Sequence, residues 1–237
     1  MVFSHSNYDP QETHVSLQVR LTTSPTLSLS QPDATLDVTL GIRIVDSKHP
    51  QEPITILIYR SVFEVFGDMG MDMFARGAFG YLAALDDKDQ PTGKIISPGF
   101  FRVNEIMNDD SLNLRECGLK FLTIPGDGSE VTVTHKLTWE RIFKYEEELT
   151  KDDLRPGERF RIGVNKRYMG TSWWCLGDLE GNLKDKKFHP WTTDFYGDQR
   201  PDDDFVREGN WVLGRDPDAL HWKIDESERT AIFEIVE

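Results

Sequence analysis

The chain has 237 residues, of which 38% are hydrophobic and 11% aromatic, so it holds enough apolar material to close a core, which argues against disorder. Its net charge of −14 argues against a nucleic-acid partner, because most of the surface would repel a polyanion. No apolar run of about 18 residues occurs, and residues 1–30 lack the features of a signal peptide, so the sequence predicts a cytoplasmic protein with no membrane partner.

The first part of the chain alternates apolar and polar residues with the period of two that is typical of half-buried strands. Residues 15–21 form the first such run, and residues 36–44 form a longer one. A third run begins at Ile54, and we expect it to extend through Ile58 toward Val65. Three antiparallel-looking strands within the first 65 residues indicate an immunoglobulin-like or arrestin-like sandwich.

The middle of the chain begins with a break in this pattern. Residues 66–85 contain three Met, four Gly and several other small residues where a strand would favour β-branched ones, so we interpret them as a long loop with room for one helical turn. Strand character returns at Ile95, where the following Pro98 and Gly99 indicate a bend in an edge strand.

The next stretch predicts a hairpin and a short helix. Residues 119–124 and 131–137 flank the turn sequence Gly-Asp-Gly at 126–128, which is typical of a hairpin. Residues 138–149 then have the spacing of a short helix, and Thr150 with Asp153 would cap one further turn.

The last part of the chain contains the least regular sequence. Residues 159–164 and 172–176 are predicted strands, and Trp173 and Trp174 should point to opposite faces of the second one. Residues 182–218 are predicted to be long irregular coil in which only residues 211–213 have strand character. Residues 219–224 and 230–236 predict a closing hairpin.

Together these elements predict an all-β protein with little helix. The expected fold is an antiparallel β-sandwich, immunoglobulin-like or arrestin-like, with long loops. No repeat, linker or shift of composition divides the chain, so we expect a single domain over residues 1–237.

Strong catalytic signatures are absent from the sequence. It contains no glycine-rich nucleotide loop and no HExxH, CxxC or GxSxG motif. The six His residues are never spaced i, i+2 or i, i+4, so no pair would share a strand or helix face as metal ligands. Cys117 and Cys175 are predicted to be packing residues in a reducing compartment. We predict no cofactor and no metal site, and the sequence leaves open only a metal assembled from distant residues.

Aromatic and polar residues concentrate between residues 173 and 200. Two long irregular segments, 66–85 and 182–218, interrupt otherwise economical β structure, and loops of that length in a compact domain are usually functional. We predict that they shape a pocket for a small apolar molecule. The predicted ligand-binding residues are Trp173, Trp174, Trp191 and Tyr196. The alternative is that these aromatic side chains only cover one end of the sandwich.

The same two segments supply candidates for acid–base chemistry. His189 and Asp194 are the predicted proton-transfer residues, and Arg76 or Arg200 would neutralise an oxyanion. The predicted function is small-molecule binding with cofactor-independent cyclase, isomerase or lyase activity on an apolar metabolite. The rival prediction is a non-catalytic intracellular protein-interaction module, which would bind through a sheet edge or loops and expose an apolar patch.

Three stretches carry a resemblance to a known group of proteins: residues 156–163 (PGERFRIG), 170–175 (GTSWWC) and 178–181 (DLEG). With residues 99–103 (GFFRV), they resemble uncharacterised intracellular β-rich proteins of filamentous fungi. The resemblance implies a fungal origin, and we place the predicted metabolite in fungal secondary metabolism. That group has no assigned activity, so the resemblance assigns no functional residue.

Overall fold

The computed structural model describes residues 14–66, 71–98, 113–190 and 208–237. Within them the chain forms fourteen strands. In chain order these are β1 (Val15–Thr23), β2 (Thr26–Ser28), β3 (Thr35–Ser47), β4 (Ile54–Leu57), β5 (Leu82–Leu85), β6 (Pro91–Ile96), β7 (Phe121–Ile124), β8 (Val131–Thr138), β9 (Arg159–Gly163), β10 (Trp174–Leu176), β11 (Lys187–His189), β12 (Trp211–Leu213), β13 (Leu220–Lys223) and β14 (Thr230–Val236).

Helix is scarce in the described residues, so the prediction of an all-β protein is confirmed. The α-helix α1 (Trp139–Phe143) has five residues, and 3-10 helices occur at Lys151–Asp153, Lys166–Tyr168 and Pro217–Ala219. The described part of the chain contains no helix that is long and apolar enough to cross a membrane.

A four-stranded sheet has the order β13-β1-β3-β8. β1 pairs antiparallel with β3 and parallel with β13, and β3 pairs antiparallel with β8. Alternate residues of β1 and β3 are buried, such as Leu17 and Leu40, whereas Arg20 and Arg43 on the opposite face are exposed. The two period-two runs that predicted these strands are therefore confirmed.

A five-stranded sheet has the order β2-β14-β9-β5-β6. Only the β14–β2 pair is parallel. β6 lies at the edge of this sheet, as predicted, but it begins at Pro91 and ends at Ile96, and Gly99 of the predicted bend lies outside the described residues. The buried residues of both large sheets, including Leu17, Leu40, Phe160 and Phe233, belong to one hydrophobic cluster, which we call the main cluster.

Two smaller sheets carry the region of the predicted site. β4 lies between β10 and β7, and β11 pairs in parallel with β12. All four residues of β4 are buried, because both of its faces are packed. A separate group of buried side chains, called here the second cluster, consists of Leu57, Leu114, Trp173, Cys175, Leu183 and Phe188.

Both predicted hairpins are wrong. β7 and β8 flank the turn at 126–128, but β7 pairs with β4 and β8 pairs with β3, in different sheets. β13 and β14 also separate, because β13 pairs with β1 whereas β14 pairs with β9 and β2. Each strand pairs within the sheet that buries its apolar face, even where the next strand in the chain belongs to another sheet.

Several strand boundaries also differ from the prediction. The strand that starts at Ile54 ends at Leu57, and residues 59–63 form turns and a bend instead of extending it. The supposed loop 66–85 ends in β5, whose sequence Leu-Ala-Ala-Leu contains no β-branched residue. β2 and β11 are three-residue strands that the irregular sequence around them conceals.

The predicted short helix and the predicted turn cap are both confirmed, although α1 ends at Phe143. The Thr138 hydroxyl accepts a hydrogen bond from the backbone N–H of Arg141 at 3.3 Å and so begins α1. Thr150 and Asp153 form a reciprocal capping box at the following 3-10 helix.

Two glycines allow close approaches of very different kinds. At Gly41 a Cβ would overlap the carboxylate of Glu130, which crosses β3 to make two 2.6 Å hydrogen bonds with Arg20. At Gly126 a Cβ would overlap the backbone of Gln51 and Glu52, in the turn before β4. The first neighbour is the flexible end of a side chain, and the second is backbone.

We predict that Gly126→Ala costs about 2–3 kcal/mol of unfolding free energy, because the backbone must shift. Gly41→Ala should cost less than about 1 kcal/mol, because it displaces only a largely exposed ion pair. Urea denaturation of both variants measures the difference. Equal costs would contradict the claim that Gly126 is needed for the close approach of the backbone at Gln51 and Glu52.

Candidate functional site

Trp173 and Trp174 are neighbours in the chain but fill different cores. Trp174 is 0% exposed and belongs to the main cluster, and Trp173 is 1% exposed and belongs to the second cluster. The prediction that they point to opposite faces is confirmed. The Trp174 indole N–H donates to the carbonyl of Asp216 at 2.7 Å, and the Arg215 guanidinium lies 5.6 Å from its ring centroid.

The indole of Trp173 connects the second cluster to His189. Its Nε1–H donates to the carbonyl of His189 at 2.6 Å, and the backbone N–H of Gly214 donates to the same oxygen at 3.2 Å. Its ring stacks on Phe188 at 4.7 Å and meets the ring of Phe121 edge-on at 5.3 Å. The backbone at His189 is therefore held by two donors and by the packing of the residue before it.

The strand that carries His189 is held from its other side by residues 113–115. The Asn113 side-chain oxygen accepts the N–H of Phe188, and the N–H of Leu114 donates to the Phe188 carbonyl, both at 2.9 Å. Arg115 lies over the Phe188 ring at 4.9 Å and donates from Nη1 to three carbonyls between residues 183 and 186. These contacts make β11 a rigid support.

The imidazole of His189 is 8% exposed and adopts one defined tautomer. Nδ1 lies 2.9 Å from the Pro190 carbonyl, and because a carbonyl only accepts, Nδ1 must carry the proton. In the neutral form of the ring, the lone pair therefore lies on Nε2, which no hydrogen bond reaches from the described residues. The ring edge meets Trp211 at 5.8 Å between centroids.

The other predicted catalytic residue within the described ranges is Arg76. It lies in the turn segment 71–80, where its backbone N–H donates to the carbonyl of Asp72 at 3.1 Å. Its Nε and Nη1 are buried and make no hydrogen bond with the described residues. The backbone of this segment joins residues 163 and 165, next to β9, whereas His189 lies on β11.

Four predicted site residues lie outside the described residues. These are the proton-transfer candidate Asp194, the oxyanion candidate Arg200, and the two predicted ligand-binding aromatics Trp191 and Tyr196.

The described residues supply no further reactive group at this site. Burial raises the pKa of the Cys175 thiol to about 12, so the thiol stays protonated near neutral pH and is a poor nucleophile. Within the same residues, no group of three or more His, Cys, Asp or Glu side chains could hold a metal ion.

The sequence did not single out Phe188, Trp211, Asn113 or Arg115, although all four position His189 or contact it. The short alternation Lys187-Phe188-His189 was the available signal for β11. Asn113 and Arg115 lie in a polar stretch with no pattern that distinguishes them from solvent-facing residues.

No family model, curated protein or solved structure matches this chain. The arrangement around His189 is therefore interpreted from its own geometry.

We predict that Trp173→Phe and Trp174→Phe each cost about 2 kcal/mol, because each removes a buried indole hydrogen bond. Only Trp173→Phe should shift the NMR resonances of the His189 ring, because only that indole holds the His189 carbonyl. Urea denaturation and histidine NMR spectra measure both effects. Equal shifts of the His189 resonances in the two variants would contradict the claim that Trp173, and not Trp174, positions His189.

Proposed function

We propose that the chain binds a small apolar molecule beside His189 and transforms it by acid–base chemistry without a cofactor. The candidate reactions are cyclisation, isomerisation and elimination. The observation that supports this proposal is the hydrogen bond of the His189 imidazole, which commits Nδ1 to the Pro190 carbonyl, while no hydrogen bond from the described residues engages Nε2.

A histidine with a fixed tautomer is suited to accept a proton. The Pro190 carbonyl holds Nδ1–H and leaves Nε2 as the basic atom, which is the role that a backbone carbonyl plays for catalytic and metal-binding histidines. The Trp211 ring meets the imidazole edge-on, and the second cluster contains Phe188, the residue before it, so apolar groups lie next to His189. Such a setting strengthens interactions with charge that develops during reaction.

The remaining roles follow the sequence prediction. Asp194 would be the second proton-transfer residue, Arg76 or Arg200 would neutralise an oxyanion, and Trp191 and Tyr196 would pack the substrate. Trp173 and Trp174 are buried at 1% and 0% exposure, so we assign them the support of the site wall rather than a large contact with ligand.

A finer fold assignment belongs to the same proposal. We propose that the four-stranded and five-stranded sheets form an immunoglobulin-like or arrestin-like sandwich, which the shared main cluster supports. The cytoplasmic location, the fungal setting in secondary metabolism and the single domain over 1–237 remain parts of the proposal.

One observation favours the rival function, a protein-interaction module. The pairing registers place Ile95, Ala83, Arg161 and Ile232 side by side across β6, β5, β9 and β14. Ile95 is 45% exposed and Ile232 is 37% exposed, and Tyr81, two residues before Ala83, is 61% exposed. Apolar side chains that are exposed on one sheet face, here on both sides of Arg161, are typical of contact surfaces.

We predict that an apolar metabolite which raises the melting temperature is converted to an isomeric or eliminated product by the wild-type chain. His189→Gln should lower the turnover about 10²- to 10⁴-fold, because Gln has no basic nitrogen. Thermal-shift screening identifies the ligand, and mass spectrometry measures the turnover.

Ile95→Asp is the matched control and should leave both the ligand-induced thermal shift and the turnover unchanged. Wild-type turnover in His189→Gln would contradict the acid–base proposal. If no apolar metabolite shifts the melting temperature, and Ile95→Asp abolishes binding to a purified protein partner, the interaction module replaces it.

A further inference from the structure

The segment that connects β4 to β5 packs against β8. Residues 62–66 and 71–79 of this connection are called here the cover segment. Its largest apolar side chains, Phe63, Met73, Phe74 and Phe79, are fully buried in the main cluster. Its backbone is held from the β9 side, because the N–H of Val62 donates to the Tyr168 carbonyl at 2.9 Å and the Ala78 carbonyl accepts from Asn165 at 2.8 Å.

A single buried imidazole connects β8 to both parts of the cover segment. His135 is 0% exposed, and its Nε2 donates to the Val62 carbonyl at 2.7 Å. The ring of Phe79 meets the imidazole edge-on at 4.8 Å between centroids. Because Nε2 carries the proton, Nδ1 is the basic atom, and it is buried with no hydrogen-bond partner.

The charged groups that act on this imidazole come from two neighbouring elements. Arg141 of α1 and Asp72 of the cover segment form a mostly buried ion pair at 2.7 Å. Arg141 disfavours a proton on His135, and Asp72 favours it. The partner of His135 on β3 is Val38, which has no charge.

The other charged side chains of the cover segment are Glu64, which accepts hydrogen bonds from the backbone, and Arg76, which is a cation like the imidazolium. The Glu64 carboxylate accepts backbone N–H groups from Arg60 and from Met71. Arg76 contributes a second cation in the segment 71–80. Among the described residues of the cover segment, Asp72 is therefore the carboxylate that favours an imidazolium at His135, and it is already paired with Arg141.

Proton uptake at Nδ1 of His135 would create a buried N–H without an acceptor, next to an arginine. Such a group is costly to keep buried, and exposure to water relieves the cost. We propose that the cover segment is an acid-released cover, whose local detachment from β8 is coupled to protonation of His135. β8 itself should stay in place, because it pairs with β3 over eight residues. Detachment would expose the buried Nε and Nη1 of Arg76 to solvent.

The strength of the coupling between protonation and detachment follows from the pKa of His135 in the two states. Burial lowers the pKa of His135 from 6.5 to about 4, because the imidazolium loses its hydration. His135 has the higher pKa when the cover segment is released, so the population of the released state rises as the pH falls from about 6.5 toward 4. The opening constant is the ratio of detached to attached cover segment. The whole difference between a pKa of 6.5 and one of about 4 raises this ratio about 300-fold, and about 30-fold is reached at pH 5.

Hydrogen exchange of the whole chain, measured by mass spectrometry between pH 7.5 and pH 5 and corrected for intrinsic exchange rates, tests this proposal. We expect peptides of the cover segment to lose protection about 30-fold at pH 5, while peptides of β1 and β3 stay better protected at every pH. Identical protection of the cover segment and β3 would mean that the whole protein unfolds, and would overturn the proposal.

His135→Gln keeps an N–H for the Val62 carbonyl but does not titrate, and its cover segment should lose less than about 3-fold in protection. His221→Gln, on β13, removes a different histidine and should keep the 30-fold loss. A 30-fold loss in His135→Gln would overturn the proposal. If that variant does not fold, the wild-type profile decides alone, because protection of the cover segment that stays constant between pH 7.5 and pH 5 would overturn the proposal.

Discussion

The separation of two adjacent indoles is the constraint on which the region around His189 depends. β10 pairs with β4, which is buried on both faces, so consecutive side chains at this place must enter two different cores. Trp174 belongs to the main cluster, and Trp173 belongs to the second cluster. The indole N–H of Trp173 then holds the carbonyl of His189, and so helps to position the backbone that carries the imidazole.

Two buried histidines of this chain show how the backbone decides what an imidazole can do. His135 donates from Nε2 to a carbonyl and encloses Nδ1 in the core, so burial lowers its pKa to about 4 and it stays neutral in the closed protein. His189 donates from Nδ1 to the carbonyl of the next residue and leaves Nε2 uncommitted among the described residues. The first arrangement suits a structural contact that acid disrupts, and the second suits proton transfer.

The sequence predicted the elements whose burial is one-sided and missed those whose burial or pairing depends on distant residues. The alternation in β1 and β3 is strong because each has one buried face, and the same rule correctly separated Trp173 from Trp174. The hairpins failed because a turn signal says nothing about which sheet a strand joins. The supports of His189 were hidden for a similar reason, since Asn113 and Arg115 act through backbone groups more than 60 residues away.

The tautomer of His189 is the property that the proposed chemistry requires, and nitrogen NMR of the histidine side chains reads it directly. In protein labelled with ¹⁵N-histidine near neutral pH, long-range proton–nitrogen correlations should show a protonated, pyrrole-type Nδ1 and an unprotonated, pyridine-type Nε2 at His189. His135 should show the opposite pattern in the same spectrum. A protonated Nε2 at His189, or rapid exchange between both tautomers, would contradict the claim that this imidazole is held ready to accept a proton.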